Sequence, residues 1–420
     1  MKNRVFKYLQ FATYVFLVST LVSCNGDQFE TIENGVYFKE SLKTDFQKVA
    51  IENEATAEVT LSIANIVDKD TKYKLTLSPS NLKEYNERNG SSFQSLPSTQ
   101  VELPSEILIK AGESQSEKIQ IKIKGYTEEM IASGSSYAIP LQIESMNSEV
   151  LPVGKTSTYI VGLERIFETK AVLVRAANWS NVIESGEVFR FNISEKDLKF
   201  PSLTMEFWMA ISKVGGGAKF HGHPRNRLFI FKNNGDGTDQ WHVWNDGDHP
   251  NSRNFSLTSR NTDLVANAKI VPNEWAHYAL VYDGASGTVK IYVNGVEEGS
   301  ASIGSVPYNF SNKAWGFNRS FGDNNFAIRE FRFWSVARTG DQVKNNMETI
   351  NPTTPGLELY TKFDQDENGL FIDLSGHEGR SMEYCNYKYE EGEHTFTKFE
   401  TPKPIEYIDY KVGEKKANLE

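Results

Sequence analysis

Retaining glycoside hydrolysis needs two carboxyl groups about 5 Å apart. One β-strand can supply them, because alternate residues share a face. A motif seen in retaining enzymes, Glu-x-Asp-x-x-Glu, starts at Glu195-Lys196-Asp197 and fails at Phe200. No Gly-x-Ser-x-Gly elbow occurs, and no neighbour in sequence would activate the Cys385 thiol. The other Asp and Glu pairs are expected on a solvated surface. Metal patterns are equally incomplete. Asp364-Gln365-Asp366-Glu367-Asn368-Gly369 begins like a calcium loop, but Ser375 stands where a bidentate Glu is needed. His221, His223 and His249 sit among glycine and proline with no third fixed ligand, so zinc is not expected.

Aromatic residues beside polar loops suggest another chemistry. A sugar offers a flat apolar face ringed by hydroxyls, which suits an exposed ring next to Asp, Asn or Arg. Trp241-His242-Val243-Trp244 leads into Asn245-Asp246-Gly247-Asp248-His249-Pro250-Asn251. Strand parity groups Trp241 with Val243 and His242 with Trp244. The second pair is expected to be the more open, with Trp244 as the platform and His242, Asp246 and Asp248 around it. Asn318 and Arg319 open a second such loop after Trp315 and Phe317, and Phe220 and Arg225 belong to a third. Trp208, Trp275 and Trp334 lie inside apolar strand runs and are expected in the core.

The thiol of Cys24 has a separate chemistry. Lys2, Arg4 and Lys7 precede an uncharged apolar stretch from Tyr8 to Val22. That stretch is shorter than the ~20 residues a membrane span needs and reads as an export signal. It ends in Leu21-Val22-Ser23-Cys24, which resembles the bacterial lipoprotein box, where a thioether-linked lipid forms before cleavage. Several acyl chains on Cys24 would anchor far better than one. Residues 1–23 are thus a signal peptide and 24–30 a short tether. Cleavage would remove three basic residues and no acid.

The elements that must position these groups are strands. The chain has 420 residues, a net charge of −10 and only two cysteines. That length suggests two domains without a disulfide framework. The acidic balance argues against a nucleic-acid partner. The 26 Phe, 18 Tyr and 7 Trp favour strands over helices. Lys118–Lys124 alternates without a fault, and Ile107–Ile109 precedes it across a turn at Ala111-Gly112-Glu113. Ala57–Ile63, Lys72–Leu77, Tyr137–Ile143 and Thr158–Val161 complete an antiparallel sandwich. Further on, Thr204–Met209, Asn273–Tyr282, Thr288–Val293 and Phe326–Trp334 are strands. Asn294-Gly295 marks a hairpin, and Gly340–Met347 is a short helical stretch.

Leu82-Lys83-Glu84-Tyr85-Asn86, Phe93, Leu96-Pro97, Ile107–Gly112 and Ser136–Leu141 carry a resemblance. They resemble the N-terminal domain of unknown function in Bacteroides-type surface lipoproteins. The same domain precedes some endo-N-acetylglucosaminidases and glycan-binding proteins. In the second half, the aromatic strand, Trp275-Ala276-His277, Val293-Asn294-Gly295 and Ile328-Arg329-Glu330-x-Arg332-x-Trp334 follow in order. With Tyr360–Asp364 and Asp373–Gly376 they resemble a laminin-G, concanavalin A-like jelly roll. Arg329 replaces an acid usual in that family. The resemblance implies that a structural calcium is possible, with Asp364 and Asp373 as its weak candidates.

The expectation is an all-β chain. An immunoglobulin-like spacer occupies 31–163, a linker 164–169, the jelly roll 170–400 and a polar tail 401–420. The implied role is non-catalytic glycan capture by an outer-membrane, surface-facing lipoprotein that serves a starch-utilisation-type importer. A glycoside hydrolase or lyase with an unrecognised site, and a protein-binding adhesion module, are the alternatives.

Overall fold

The computed structural model describes residues 34–420 except 148, 176–184, 194–198, 214–218, 221–222, 233–240, 247–253, 260–261, 306, 310–313, 319–324, 379, 391–392 and 402. Cys24 lies outside them. The expectation of an all-β chain is met.

The first sandwich contains β1 (Val36–Phe38), β2 (Phe46–Ile51), β3 (Glu54–Val59), β4 (Leu61–Ile63) and β5 (Thr71–Leu77). Helix α1 (Pro79–Asn89) separates these from β6 (Gln94–Ser95), β7 (Val101–Glu102), β8 (Ile107–Ile109) and β9 (Ile119–Lys124). Helix α2 (Glu128–Ala132), β10 (Tyr137–Ser145) and β11 (Thr158–Arg165) close it. One sheet runs β2-β11-β10-β5-β8, and a second runs β3-β9-β7. β9 shows the period of two expected from Ile119, Ile121 and Ile123, which are buried between exposed neighbours. The run Ala57–Ile63, expected as one strand, breaks at Thr60 into β3 and β4, which join different sheets. α1 begins with Pro79 and stops at Gly90 in the left-handed conformation, φ 59°.

Two residues separate β11 from β12, the first strand of the second domain, so the linker expected over 164–169 is mostly taken up by these strands. Its strands are β12 (Glu168–Val174), β13 (Ser185–Ile193), β14 (Lys199–Phe200), β15 (Leu203–Ile211), β16 (Lys219–Phe220) and β17 (His223–Lys232). Next come β18 (Trp241–Asp246), β19 (Asn254–Ser259), β20 (Thr262–Lys269), β21 (Ala276–Asp283), β22 (Thr288–Val293) and β23 (Val296–Ser302). They continue as β24 (Tyr308–Asn309), β25 (Ala314–Asn318) and β26 (Phe326–Trp334), followed by helix α3 (Gly340–Asn345). The last are β27 (Leu357–Thr361), β28 (Leu370–Phe371), β29 (Arg380–Glu390), β30 (Glu393–Lys398) and β31 (Glu406–Lys411).

One sheet runs β23-β22-β21-β15-β26-β12-β31 with β27 on β26. The other runs β20-β19-β18-β17-β25-β13-β29-β28. Between them lies one apolar core. Phe207 of the first sheet stacks near Tyr278, and Tyr278 meets Phe255 of the second at 4.4 Å between centroids. The hairpin at Asn294-Gly295 has φ 50° and 76°, which is why that dipeptide is required there.

Residues 401–420 are not a polar tail. β31 pairs with β12 along six residues, and Leu419 is buried against Trp208, Trp275 and Tyr410. Charge masked this strand in the sequence, because only one of its faces is covered. Leu419→Ala should lower stability by about 2–4 kcal/mol, as for other large-to-small changes at buried sites, and urea denaturation would measure it.

Candidate functional site

β18 pairs with β17 and β19, and β25 pairs with β17 and β13. Both run antiparallel to β17, so β18 and β25 are parallel to each other. Their last residues, Asp246 and Asn318, point toward the same end of the sheet but are staggered: Asp246 is opposite Arg225 near the start of β17, whereas Phe317, just before Asn318, is opposite Phe229. One strand lies between β18 and β25, so their axes are about 10 Å apart. β16, carrying Phe220, pairs with that same start of β17, and Arg225 is opposite Asp246. Three segments singled out by composition thus lie on or beside β17.

Register places the candidates further. Val243 is opposite Leu257, a core residue, while Trp244 is opposite Ser256 on one side and Arg227 on the other. His242 is opposite Thr258, and Asn318 is opposite Val188. Only the backbone of Trp244, His242, Asp246 and Asn318 is described. Asp248 and Arg319 lie outside the described residues.

The other sheet carries charge where a strand pattern would suggest only packing. β15 sends Leu203, Met205, Phe207, Met209 and Ile211 into the core. Its opposite face holds Thr204, Glu206 and Trp208, all buried. β26 matches it with Arg329, Glu330, Arg332 and Trp334. The register shifts between Glu206 and Trp208, so two residues of β26, Glu330 and Phe331, oppose Phe207 alone. Glu330 accordingly has φ 54°, a conformation costly for a side chain with a Cβ. Its carboxylate accepts from Arg332 Nη2 at 2.9 Å and from the Tyr360 hydroxyl at 2.6 Å.

Ion pairs extend from there. Arg338 Nη1 donates to Glu206 Oε1 at 2.6 Å, and Arg332 Nη1 lies 3.5 Å from Glu206 Oε2. Arg329 Nη2 donates to Glu348 at 2.8 Å. The Arg329 guanidinium lies 3.9 Å from the Tyr410 ring centre and 4.8 Å from that of Trp208. Those faces receive the positive charge that no second acid meets. Burial alone would raise the Glu330 carboxyl, but Arg332, then Lys362 and Arg329, outweigh it and hold the pKa below the usual range. Glu348 goes the other way, raised by burial against the pull of Arg329. His277 is buried beside three arginines, and neither ring nitrogen has a hydrogen-bond partner. Burial first, then Arg332, Arg338 and Arg329, hold it neutral with a pKa well below 6.5.

Trp208, Trp275 and Trp334 are buried as expected, at 8%, 6% and 1% exposure, but behind this sheet rather than between the sheets. Trp208 Nε1 donates to the Met347 carbonyl at 2.8 Å. The sequence signal for the network was available: Arg329-Glu330-x-Arg332 interrupts an otherwise apolar strand.

The calcium candidates lie near each other, because the Ile372 amide donates to the Asp364 carbonyl at 2.8 Å. Asp373 Oδ1 accepts from the Tyr360 and Ser375 amides, both at 2.9 Å, and thus holds a turn. Asp364 is exposed, and Asp366 closes its own turn onto Asn368 and Leu370. Among the described residues no three His, Cys, Asp or Glu side chains gather as a metal site. Cys385 is buried, with its thiol pushed up to about 12 by burial and then by Glu383, so it is a poor nucleophile.

Two family models match. Residues 32–150 match one described as an N-terminal domain, and residues 189–344 match the laminin-G-type model of the Concanavalin A-like lectin/glucanases superfamily. A 104-residue stretch is 31% identical to mouse pappalysin-1. It makes up 23% of this chain and spans only 6% of that protein. Among solved structures, a candidate carbohydrate-binding protein from Bacteroides ovatus is 21% identical, with TM-score 0.46, covering 89% of this chain and 100% of its own. EndoBT-3987 of Bacteroides thetaiotamicron, solved with a Man5GlcNAc product, is 15% identical with TM-score 0.27, covering 31% of this chain and 30% of its own.

Two outcomes test the charge network. Arg332→Ala should cost about 3–5 kcal/mol, because it removes the buried counterion of Glu330. His277 remains unprotonated in the fold below the pH at which the unfolded imidazole takes its proton, near 6.5. The fold therefore loses stability as pH falls below that value. His277→Gln should flatten this part of the profile, read as the urea midpoint against pH.

Proposed function

We propose that this chain is a surface lipoprotein that binds glycans without cleaving them. The observation that carries the reading is the shared sheet. β18, which bears Trp244 and Asp246, and β25, which bears Asn318, run parallel in one sheet about two strand spacings apart. A ring with amide and carboxylate groups at that spacing suits one or two sugar units. Asp248 and Arg319, on the connections that follow, would add donors and acceptors.

The non-catalytic reading is supported by where the acids are engaged. Glu206 and Glu330 are both buried and bound to arginine. Buried there, neither carboxyl has a route to a substrate. The missing Glu-x-Asp-x-x-Glu pattern points the same way.

Lipid on Cys24 would hold the protein at the outer membrane. Tethering raises the local concentration of binding sites, so a modest affinity would suffice for capture. Handing the captured oligosaccharide to an importer is the role that fits such an anchor.

Trp244→Ala should abolish retention on the cognate glycan, identified on a glycan array, while the melting temperature stays within about 2 °C of the parent for so local a change. Retention equal to the parent would remove Trp244 from the site. Shortened glycan products after incubation would instead favour the enzyme reading. Cys24→Ser should move the protein from the membrane pellet to the soluble fraction.

A further inference from the structure

The first sandwich has two dissimilar ends. At one, Ser136 meets Thr349 of the second domain at 3.2 Å, and Asn345 donates to the Asn89 carbonyl at 3.4 Å. β10 leaves this junction at Tyr137 and ends at Ser145. Its nine residues carry the chain about 30 Å. The far end therefore points away from the jelly roll.

That far end exposes large apolar side chains among charged ones such as Lys43, Asp68 and Lys155. Leu42, Ile66, Met146, Leu151 and Val153 are exposed there, at 66%, 65%, 49%, 62% and 37%. Backbone contacts tie them into one neighbourhood. The Val36 amide donates to the Leu151 carbonyl and the Val153 amide to the Val36 carbonyl. The Asn65 amide, next to Ile66, donates to Asn34 Oδ1 at 3.1 Å. The Met146 amide donates to the Lys72 carbonyl, and Lys69 of that loop pairs with Glu149 at 3.4 Å. Ser41, beside Leu42, donates to the Thr156 carbonyl at 3.2 Å. Gly35 passes so close to Val153 that a Cβ there would lie 1.6 Å from its Cγ2. Soluble domains seldom leave such a patch without a use for it.

The chain itself says what covers this end. Asn34 lies in the patch, and Cys24 is ten residues upstream, a reach of at most about 35 Å. We infer that this apolar end of the first sandwich rests on the lipid surface to which Cys24 is attached, with the side chains of Ile66 and Leu151 among the acyl chains. The inference rests on the anchor reading and adds an orientation to it. The lipid holds the protein, and the patch sets it upright with the jelly roll on the far side of the junction. A handful of partly buried apolar side chains is too weak to bind a membrane alone and sufficient to choose a face once tethered.

The test separates the two readings by making the tether chemically. The chain from Cys24 onward is coupled through that thiol to maleimide lipid in vesicles of phosphatidylethanolamine and phosphatidylglycerol. Cys385, buried with a raised pKa, should not compete. Leu151→Trp reports contact, and Val296→Trp, exposed on the second domain, is the control. Acyl-chain bromination should quench the added emission of Leu151→Trp by half or more and leave Val296→Trp unchanged. Adding Ile66→Ser and Met146→Ser to Leu151→Trp should remove the quenching. Equal emission of Leu151→Trp in plain and brominated vesicles overturns the inference, whatever Cys24→Ser does to fractionation. So does emission that changes only when outer-membrane protein is added, which would assign the patch to a protein partner.

Discussion

Six charges buried behind one sheet govern much of this molecule. Arg329, Arg332 and Arg338 face Glu206, Glu330 and Glu348 in a region with little water. Such charges are tolerated only when every member has its counterion, and removing one leaves its partner stranded. The requirement propagates outward. Glu348 must reach Arg329, and the Asn346 carbonyl must meet Arg332 at 2.6 Å, so the stretch after α3 is held against the sheet. That same stretch presents Asn345, Asn346 and Thr349 to the first sandwich. The junction between domains is therefore set from within the jelly roll.

The two sheets of the jelly roll have divided the work. One is covered on its outer face by the network and by the C-terminal residues around Leu419, and it anchors the neighbouring domain. The other carries the candidate residues on β18 and β25, which flank β17. Glu330 links these roles through its bulge. The extra residue turns Phe331 into the core against Phe191, at 4.5 Å between centroids, while the carboxylate stays on the bracing side.

Local signals made part of this legible in the sequence. The alternation of Ile119, Ile121 and Ile123, the Asn294-Gly295 turn and the limits of β22 and β26 follow from side-chain period and backbone preference alone. The break at Thr60 does not, because nothing local distinguishes a strand that changes sheets. β31 was hidden by its charges. The arginines of β26 look like a solvent face until the covering segment is in place. For the candidate site, the residue types were visible, but their placement required strand order. Residues 246 and 318 share one sheet only because β17 lies between their strands.

The path from Cys24 to the candidate site also has a mechanical sense. A captured polymer swaying in flow would pull on the second domain, and the pull would pass through β12 into β11 and out toward β1. β11 is bonded on both sides, to β10 and, in parallel, to β2, while β12 is bonded to β26 and β31. Tension along such strands loads many hydrogen bonds at once in shear, where peeling would load them one by one. The chain is laced in the direction in which a tethered receptor would be dragged.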